Sequence, residues 1–251
     1  METKDMKNSS NNPIVVITAI CGNYDYLKVQ PEQSIPVDFI CFTDSKDQLV
    51  EKWAHEIRTE VCVADDPFFK DYTPRMAGKR FRMNPFRAVD MVRKDKKLKY
   101  WDIVIWMDWT GRLLNPNAIE NLLAQCPKDF DVCCFKHPER SSIYEEASFC
   151  VDNNLKKYKD RDLMAQVNHY EQEWFYDDVW LSATGLLIMK YSPEVEELLE
   201  ERRDENIQRG PMDQLSRSYL VWKHDIDLYW LDDNLRYNEN IDFKNHHTSD
   251  D

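Results

Sequence analysis

The stretch YWDIVIWMDWTGRLLNP ends an apolar run, Ile103 to Met107, on a carboxylate, Asp108. A carboxylate at a strand end is a hard oxygen ligand. Mg2+ or Mn2+ takes such ligands while sharing its shell with phosphates, and a nucleoside diphosphate would supply those phosphates. Upstream, TPRMAGKRFRMNPFRAVDMVRK carries Arg75, Lys79, Arg80 and Arg82, positive charge suited to a departing diphosphate. The alternative for Asp108 is a turn or cap aspartate before Trp109-Thr110-Gly111. A second cluster, KHPERSSIYEEA, crowds His137, Glu139, Arg140, Tyr144, Glu145 and Glu146 together. It reads as the wall of a site, because Ile143 and Tyr144 interrupt what would otherwise be a solvated surface; His137 alone reads as structural. The aromatic stretch EWFYDDVW offers faces on which a sugar could stack, with an aromatic core or a partner surface as the other readings.

The elements that must hold these residues follow from periodicity. Ile14 to Ile20 and Val37 to Phe42 are short β-branched or aromatic runs, each followed by a polar loop, and Glu56 to Val63 is a weaker third strand. The basic segment Thr73 to Lys94 is helical, with Pro85 interrupting it or starting a new helix. Lys94 to Lys99 is a charged turn. NAIENLLAQC is a helix with Ile119, Leu122 and Leu123 on one face, and Asp131 to Phe135 is a strand. Glu145 to Glu173 reads as a largely helical insertion or arm. ATGLLIM is a strand, Pro193 to Ile207 an acidic helix, and RGPMDQLSRSYLVWK a helix with Pro211 in its first turn and Asp213 near its N-terminus. Ile226 to Trp230 is the last strand. Strands alternating with helices predict an α/β domain with a mostly parallel sheet, whose ligands sit beyond the carboxyl ends of the strands.

Composition narrows the classes. The chain has 251 residues and a formal charge of -13, from 33 basic and 46 acidic side chains. That net negative field argues against a nucleic-acid partner. Five glycines are few for an all-β protein with many tight turns. No apolar run reaches the about 20 residues of a membrane span, and the polar start METKDMKNSSNN lacks a signal-peptide core, so a cytoplasmic location is expected. The seven cysteines are odd in number and contain no CxxC, which suits free buried thiols.

Several blocks, TAICGNYDYL, VDFICFTDS, IVIWMDWTGRL, HPERSSIYEEA, ATGLLIM and GPMDQLSRSYLVWK, occur in an order that resembles a hexosyltransferase-like family. That family was formerly catalogued as a domain of unknown function and is itself similar to family 8 glycosyltransferases. The resemblance covers Ile14 to Leu231. It implies a GT-A-like single domain over residues 13–240, a mostly parallel sheet flanked by helices, between a disordered tail at 1–12 and a polar tail at 241–251 that closes over the nucleotide. It implies Asp108 and Thr110 at the outer positions of an Asp-x-Asp motif, with Thr110 a departure from it, and His246 or His247 completing a Mn2+ or Mg2+ shell. Nucleotide contacts would come from Thr18, Ala19, Gly22, Tyr24 stacking on the base, Asp25, Asp44, Lys79 and Arg82. His137, Arg140, Glu145, Glu146, Thr184 and Gly185 would line the sugar and acceptor. MDQLS resembles the family 8 Asp-Gln motif. Asp213 is then the base of an inverting reaction, or Asp213 and Gln214 flank the reacting face in a retaining one, while a helix-capping Asp213 is the plain alternative.

The function implied is transfer of a hexose or pentose from a nucleotide-diphosphate sugar, UDP-linked, to a hydroxyl of a glycan or glycoconjugate acceptor. Two rivals stand beside it. A nucleotidyltransferase also uses a strand-end aspartate with Mg2+, but normally carries a glycine-rich phosphate loop, and CGNYDY has one glycine. A non-catalytic nucleotide-sugar-binding protein is favoured by the missing second aspartate.

Overall fold

Ile14 to Ile20 is buried at all seven positions. A strand hidden on both faces belongs inside a sheet covered on each side. The computed structural model has that arrangement, and describes residues 13–22, 28, 30–43, 58–61, 74–96, 101–155, 158, 162–176, 180–209 and 212–243. In chain order its elements are β1 (Ile14–Ile20), β2 (Asp38–Thr43), β3 (Arg58–Val61), α1 (Pro74–Met83), α2 (Pro85–Lys96), β4 (Ile103–Met107), β5 (Arg112–Leu113) and α3 (Ala118–Ala124). There follow β6 (Val132–Lys136), α4 (Ile143–Asp152), α5 (Leu163–Gln172), β7 (Ser182–Lys190), α6 (Pro193–Gln208), α7 (Asp213–Lys223), β8 (Leu228–Trp230) and β9 (Ile241–Asp242).

Among the described residues, seven strands form one sheet in the order β3-β2-β1-β4-β7-β6-β8. Six run one way, and β7 alone is reversed, antiparallel to both β4 and β6. The mostly parallel sheet flanked by helices is therefore what forms. Side chains alternate across the sheet with period two. Val15, Ile17 and Ala19 of β1 join a core built with α1, α2 and α4 to α7, whereas Ile14 and Val16 join a second core with α3, β5 and β9. Because β5 and β9 pair, through Arg112↔Asp242 and Leu113↔Ile241, the polar tail expected from 241 onward begins as structure.

Pro85 opens a helix instead of breaking one. Asn84 Oδ1 accepts from the Arg87 N–H at 2.9 Å, which caps α2, and proline in the first turn forfeits no intrahelical bond. The expected arm over 145–173 is corrected. It is two separate helices, and Ile143, Ala147, Val167 and Tyr170 are fully buried in the first core. The chain breaks after α4 at Asn154, whose φ of 48° is left-handed, and restarts where Asp162 accepts from Ala165 N at 2.8 Å. The many charged residues of this segment hid an inward stripe at helical spacing. The six described cysteines are free, five of them buried. No helix among the described residues is long and apolar enough to cross a membrane.

Candidate functional site

Parallel strands deliver their carboxyl ends to one edge. β1 and β2 are in register as far as Ile20↔Thr43, and β1 pairs with β4 through Ile17↔Trp106, so Asp108 emerges beside the tips of β1 and β2. A small recess lies there, lined by residues that include Thr18, Gln30, Met107, Asp108, Trp109 and Gly111. The Thr18 hydroxyl is buried and has no hydrogen-bond partner among the described residues. A polar atom left so at a cleft wall is a ready contact for a ligand.

Asp108 is also tied to a buried charge cluster behind the cleft. Arg82 Nη1 donates to both its oxygens, at 3.1 and 3.2 Å, and Trp106 Nε1 donates to Oδ1 at 2.9 Å. Arg82 Nη2 donates to Asp213 Oδ1 at 2.8 Å, Arg202 Nη2 donates to Asp213 Oδ2 at 3.2 Å, and Lys79 Nζ lies 3.7 Å from Asp213 Oδ1. Arg202 further donates to the Arg82 carbonyl at 3.1 Å, fixing α6 against α1. Burial alone would raise the Asp213 pKa, but Arg82, Lys79, Arg202 and Arg217 hold it well below the ordinary carboxylate range. Burial likewise opposes the charge on Arg82, and Asp213 and Asp108 outweigh it, raising the pKa.

These surroundings bear directly on the expected roles. Asp213 is 3% exposed and ion-paired through both oxygens. A carboxylate held that far below its usual pKa is a poor proton acceptor, so the geometry suits an anchor for cations and not a general base. Gln214 follows it on α7 and is half-buried. As a metal site the described residues do not fit: no three His, Cys, Asp or Glu side chains among them converge. Asp108 is already paired with a guanidinium. Thr110 contributes its carbonyl to Lys28 Nζ, in a brace completed by Gln30, which donates to Gly111 O at 3.1 Å and accepts from Leu113 N at 2.8 Å. His246 and His247 lie outside the described residues, as do Tyr24, Asp25 and Asp44.

Along the same edge, Asp108 N donates to Gly185 O at 2.8 Å, and β7 pairs Met107↔Leu186 on one side and Lys136↔Ser182 on the other. Thr184 and Gly185 thus bridge Asp108 to His137, two strand spacings or about 10 Å away. His137 Nδ1 accepts from Arg140 N at 3.0 Å and Glu139 N at 3.3 Å, and its Nε2 lies 3.3 Å from Arg140 Nη2. Burial first, with Arg140 adding to it, lowers its pKa. Arg140 also pairs with buried Glu146 and with Glu139, and Arg236 reaches Glu139 at 2.7 Å. Glu145 has a structural task instead. Ser142 Oγ accepts from Glu145 N, and Glu145 accepts from Ser141 N and Oγ, a reciprocal cap at the start of α4. Gly185 is constrained too: a Cβ there would meet the Phe243 and Leu235 side chains at 3.2 Å. Ala19 is buried in β1, and Gly22 just past it has a φ of 78°, a conformation glycine adopts without strain. In the aromatic stretch Phe175 is core, whereas Trp174 and Tyr176 are exposed, at 72% and 70%.

Sequence reasoning missed Arg202, Arg217, Trp106 and Phe243. Arg217, four residues after Asp213 and on the same helix face, carried a spacing signal. Arg202, inside EERRDEN, carried none.

No protein-family description matches the chain, and no curated protein matches it by sequence. Among solved structures the chain is similar to the apo structure of the bifunctional glycosyltransferase WbbM, with a TM-score of 0.51 and 12% identity over 90% of this chain and 40% of that one. The chain therefore spans less than half of WbbM. It is also similar to the apo form of mouse xyloside xylosyltransferase 1, with a TM-score of 0.44 and 10% identity over 87% of this chain and 84% of that one. The fold is the mixed α/β fold of a solved glycosyltransferase, a central sheet flanked by helices.

Proposed function

We propose that the protein is a glycosyltransferase of the GT-A type. It would move a hexose or pentose from a nucleotide-diphosphate sugar, UDP-linked, to a hydroxyl on a glycan or glycoconjugate. One observation carries the reading: Asp108, at the carboxyl end of β4, both lines the cleft at the tips of β1 and β2 and is bonded to a cluster of buried cations. In the transfer, the acceptor oxygen bonds to the anomeric carbon as the bond from that carbon to the β-phosphate oxygen breaks. The electron pair leaves with the nucleoside diphosphate, and the acceptor proton passes to a base. Thr18, Ala19 and Gly22 would meet the nucleotide, and Lys79 and Arg82 the growing charge on the diphosphate. Thr184, Gly185, His137 and Arg140 would border the sugar and acceptor. In this reading Asp213 orders the cations.

A binding protein on the same fold is favoured by one feature, the commitment of both Asp213 oxygens to arginines. Incubation with a panel of nucleotide sugars separates the two. Release of free nucleoside diphosphate supports the transferase, binding without release supports the module, and pyrophosphate would mean a nucleotidyltransferase. In calorimetry, Asp108→Ala should weaken UDP binding at least about tenfold; unchanged affinity would remove this edge from the nucleotide site.

A further inference from the structure

Among the described residues, the cluster behind Asp108 has more positive than negative charge. Lys79, Arg82, Arg202 and Arg217 act electrostatically on Asp213, and Asp108 is the other carboxylate bonded to Arg82. Among the described residues the three guanidiniums of Arg82, Arg202 and Arg217 alone outnumber the two carboxylates. The surplus is legible in single atoms: Arg82 Nε, Arg202 Nε and Arg217 Nη2 are buried with no hydrogen-bond partner among the described residues. Buried guanidinium N–H groups without acceptors are costly, and they mark the cluster as short of negative charge. The cluster is sealed below and open above. The Arg202, Arg217 and Asp213 residues are at most 3% exposed, whereas the Lys79, Arg82 and Asp108 side chains keep 13%, 11% and 28%. The open layer thus sets an ammonium and a guanidinium behind Asp108, which lines the cleft, and the sealed layer holds them in place. Asp108 spends both oxygens on Arg82, position 110 carries a hydroxyl where a second carboxylate would stand, and no other acid converges among the described residues.

Resting on the transferase reading above, we propose that this chain binds the donor diphosphate without a divalent cation, Arg82 and Lys79 taking the metal's place and Asp108 serving as the anchor of Arg82. A guanidinium matches the planar, paired oxygens of a diphosphate and stays charged at every working pH. The inner pair, Arg202 and Asp213, keeps it from turning away.

The test is calorimetry of UDP and of GDP with the full chain, in EDTA and again in excess Mn2+. Affinity for one of the nucleotides in EDTA within about threefold of that in Mn2+ is expected. Affinity that appears only with Mn2+, or rises more than about tenfold with it, overturns the inference and leaves the transferase reading standing. No binding of either nucleotide under both conditions overturns the two together. Arg82→Gln should lose most of the EDTA affinity and Arg82→Lys should recover part of it. Lys79→Gln, at the rim, tests the same charge where the buried variant fails to fold, with a loss of about fivefold or more expected in EDTA. Unchanged affinity in Lys79→Gln, or in a folded Arg82→Gln, would overturn the assignment.

Discussion

Replacing Asp213 by asparagine keeps its shape and removes its charge. Arg82, Arg202 and Lys79 would then face one another in a nearly sealed space, with Asp108 as the remaining carboxylate on Arg82. Breaking a buried ion pair from one side leaves uncompensated charge, and the usual cost is about 3–5 kcal/mol. Urea denaturation of Asp213→Asn should give a loss of that order; a loss below about 1 kcal/mol would mean that Asp213 is not the hub of the cluster. The two acids of this site differed in how readable they were. Asp108 stands out because an apolar strand rarely stops on a carboxylate without a reason. The partners of Asp213 could not be read in the same way. Arg202 lies in a run of charged residues whose composition suits a solvated helix face, yet its side chain is 1% exposed. Only the packing of α6 against α7 and α1 turns it inward, and that is a long-range fact.

Elements that meet through glycines make the next most exacting contacts. A Cβ on Gly111 would lie 2.7 Å from Met107 Cγ and 2.9 Å from Phe243 Cε1. Gly111 and Gly185 together form the slot that receives the Phe243 ring, and Phe243 follows directly on β9. Gly111→Ala should therefore push Phe243 out, loosen the β5–β9 pair and cost about 1–3 kcal/mol, the range for forcing extra volume into a packed site. The melting temperature and the rate of proteolysis near the C-terminus measure this. An unchanged melting temperature with unchanged cleavage would show that the slot is not a constraint. Strands such as β1 and β4 were legible because a strand buried on both faces must be apolar throughout. The pairing of β5 with β9 was not, because two residues per strand leave no period to detect. The segment 145–173 is largely helical, as its sequence suggests, but its place in the core is hidden for a third reason. Its charged residues dominate the composition, while the core contacts of α4 and α5 rest on a few residues such as Ile143, Ala147, Val167 and Tyr170.

Across the whole molecule the charge is divided, with a formal -13 overall and a cationic cluster at the sheet edge. An excess of acid outside and base within draws small anions towards that edge only where the cluster opens. The same division sets the response to pH. The pKa values of His137 and Asp213 both lie below their ordinary ones. In each case the unfolded chain takes up its proton at a higher pH than the folded one, so acid favours unfolding. The contribution of each group is complete above its unfolded pKa and is lost as pH falls through its folded pKa. For His137 the loss starts below about pH 6.5, and for Asp213 below about pH 4. The melting temperature of the wild type should decline first over the histidine window and again, more steeply, in the acid range. In His137→Asn the amide oxygen can still accept the Glu139 and Arg140 N–H groups, but the side chain no longer titrates. The first decline should shrink in that variant, while the second remains. If the two proteins keep the same profile between about pH 6.5 and 5, the half-buried imidazole contributes nothing to the acid sensitivity of the fold.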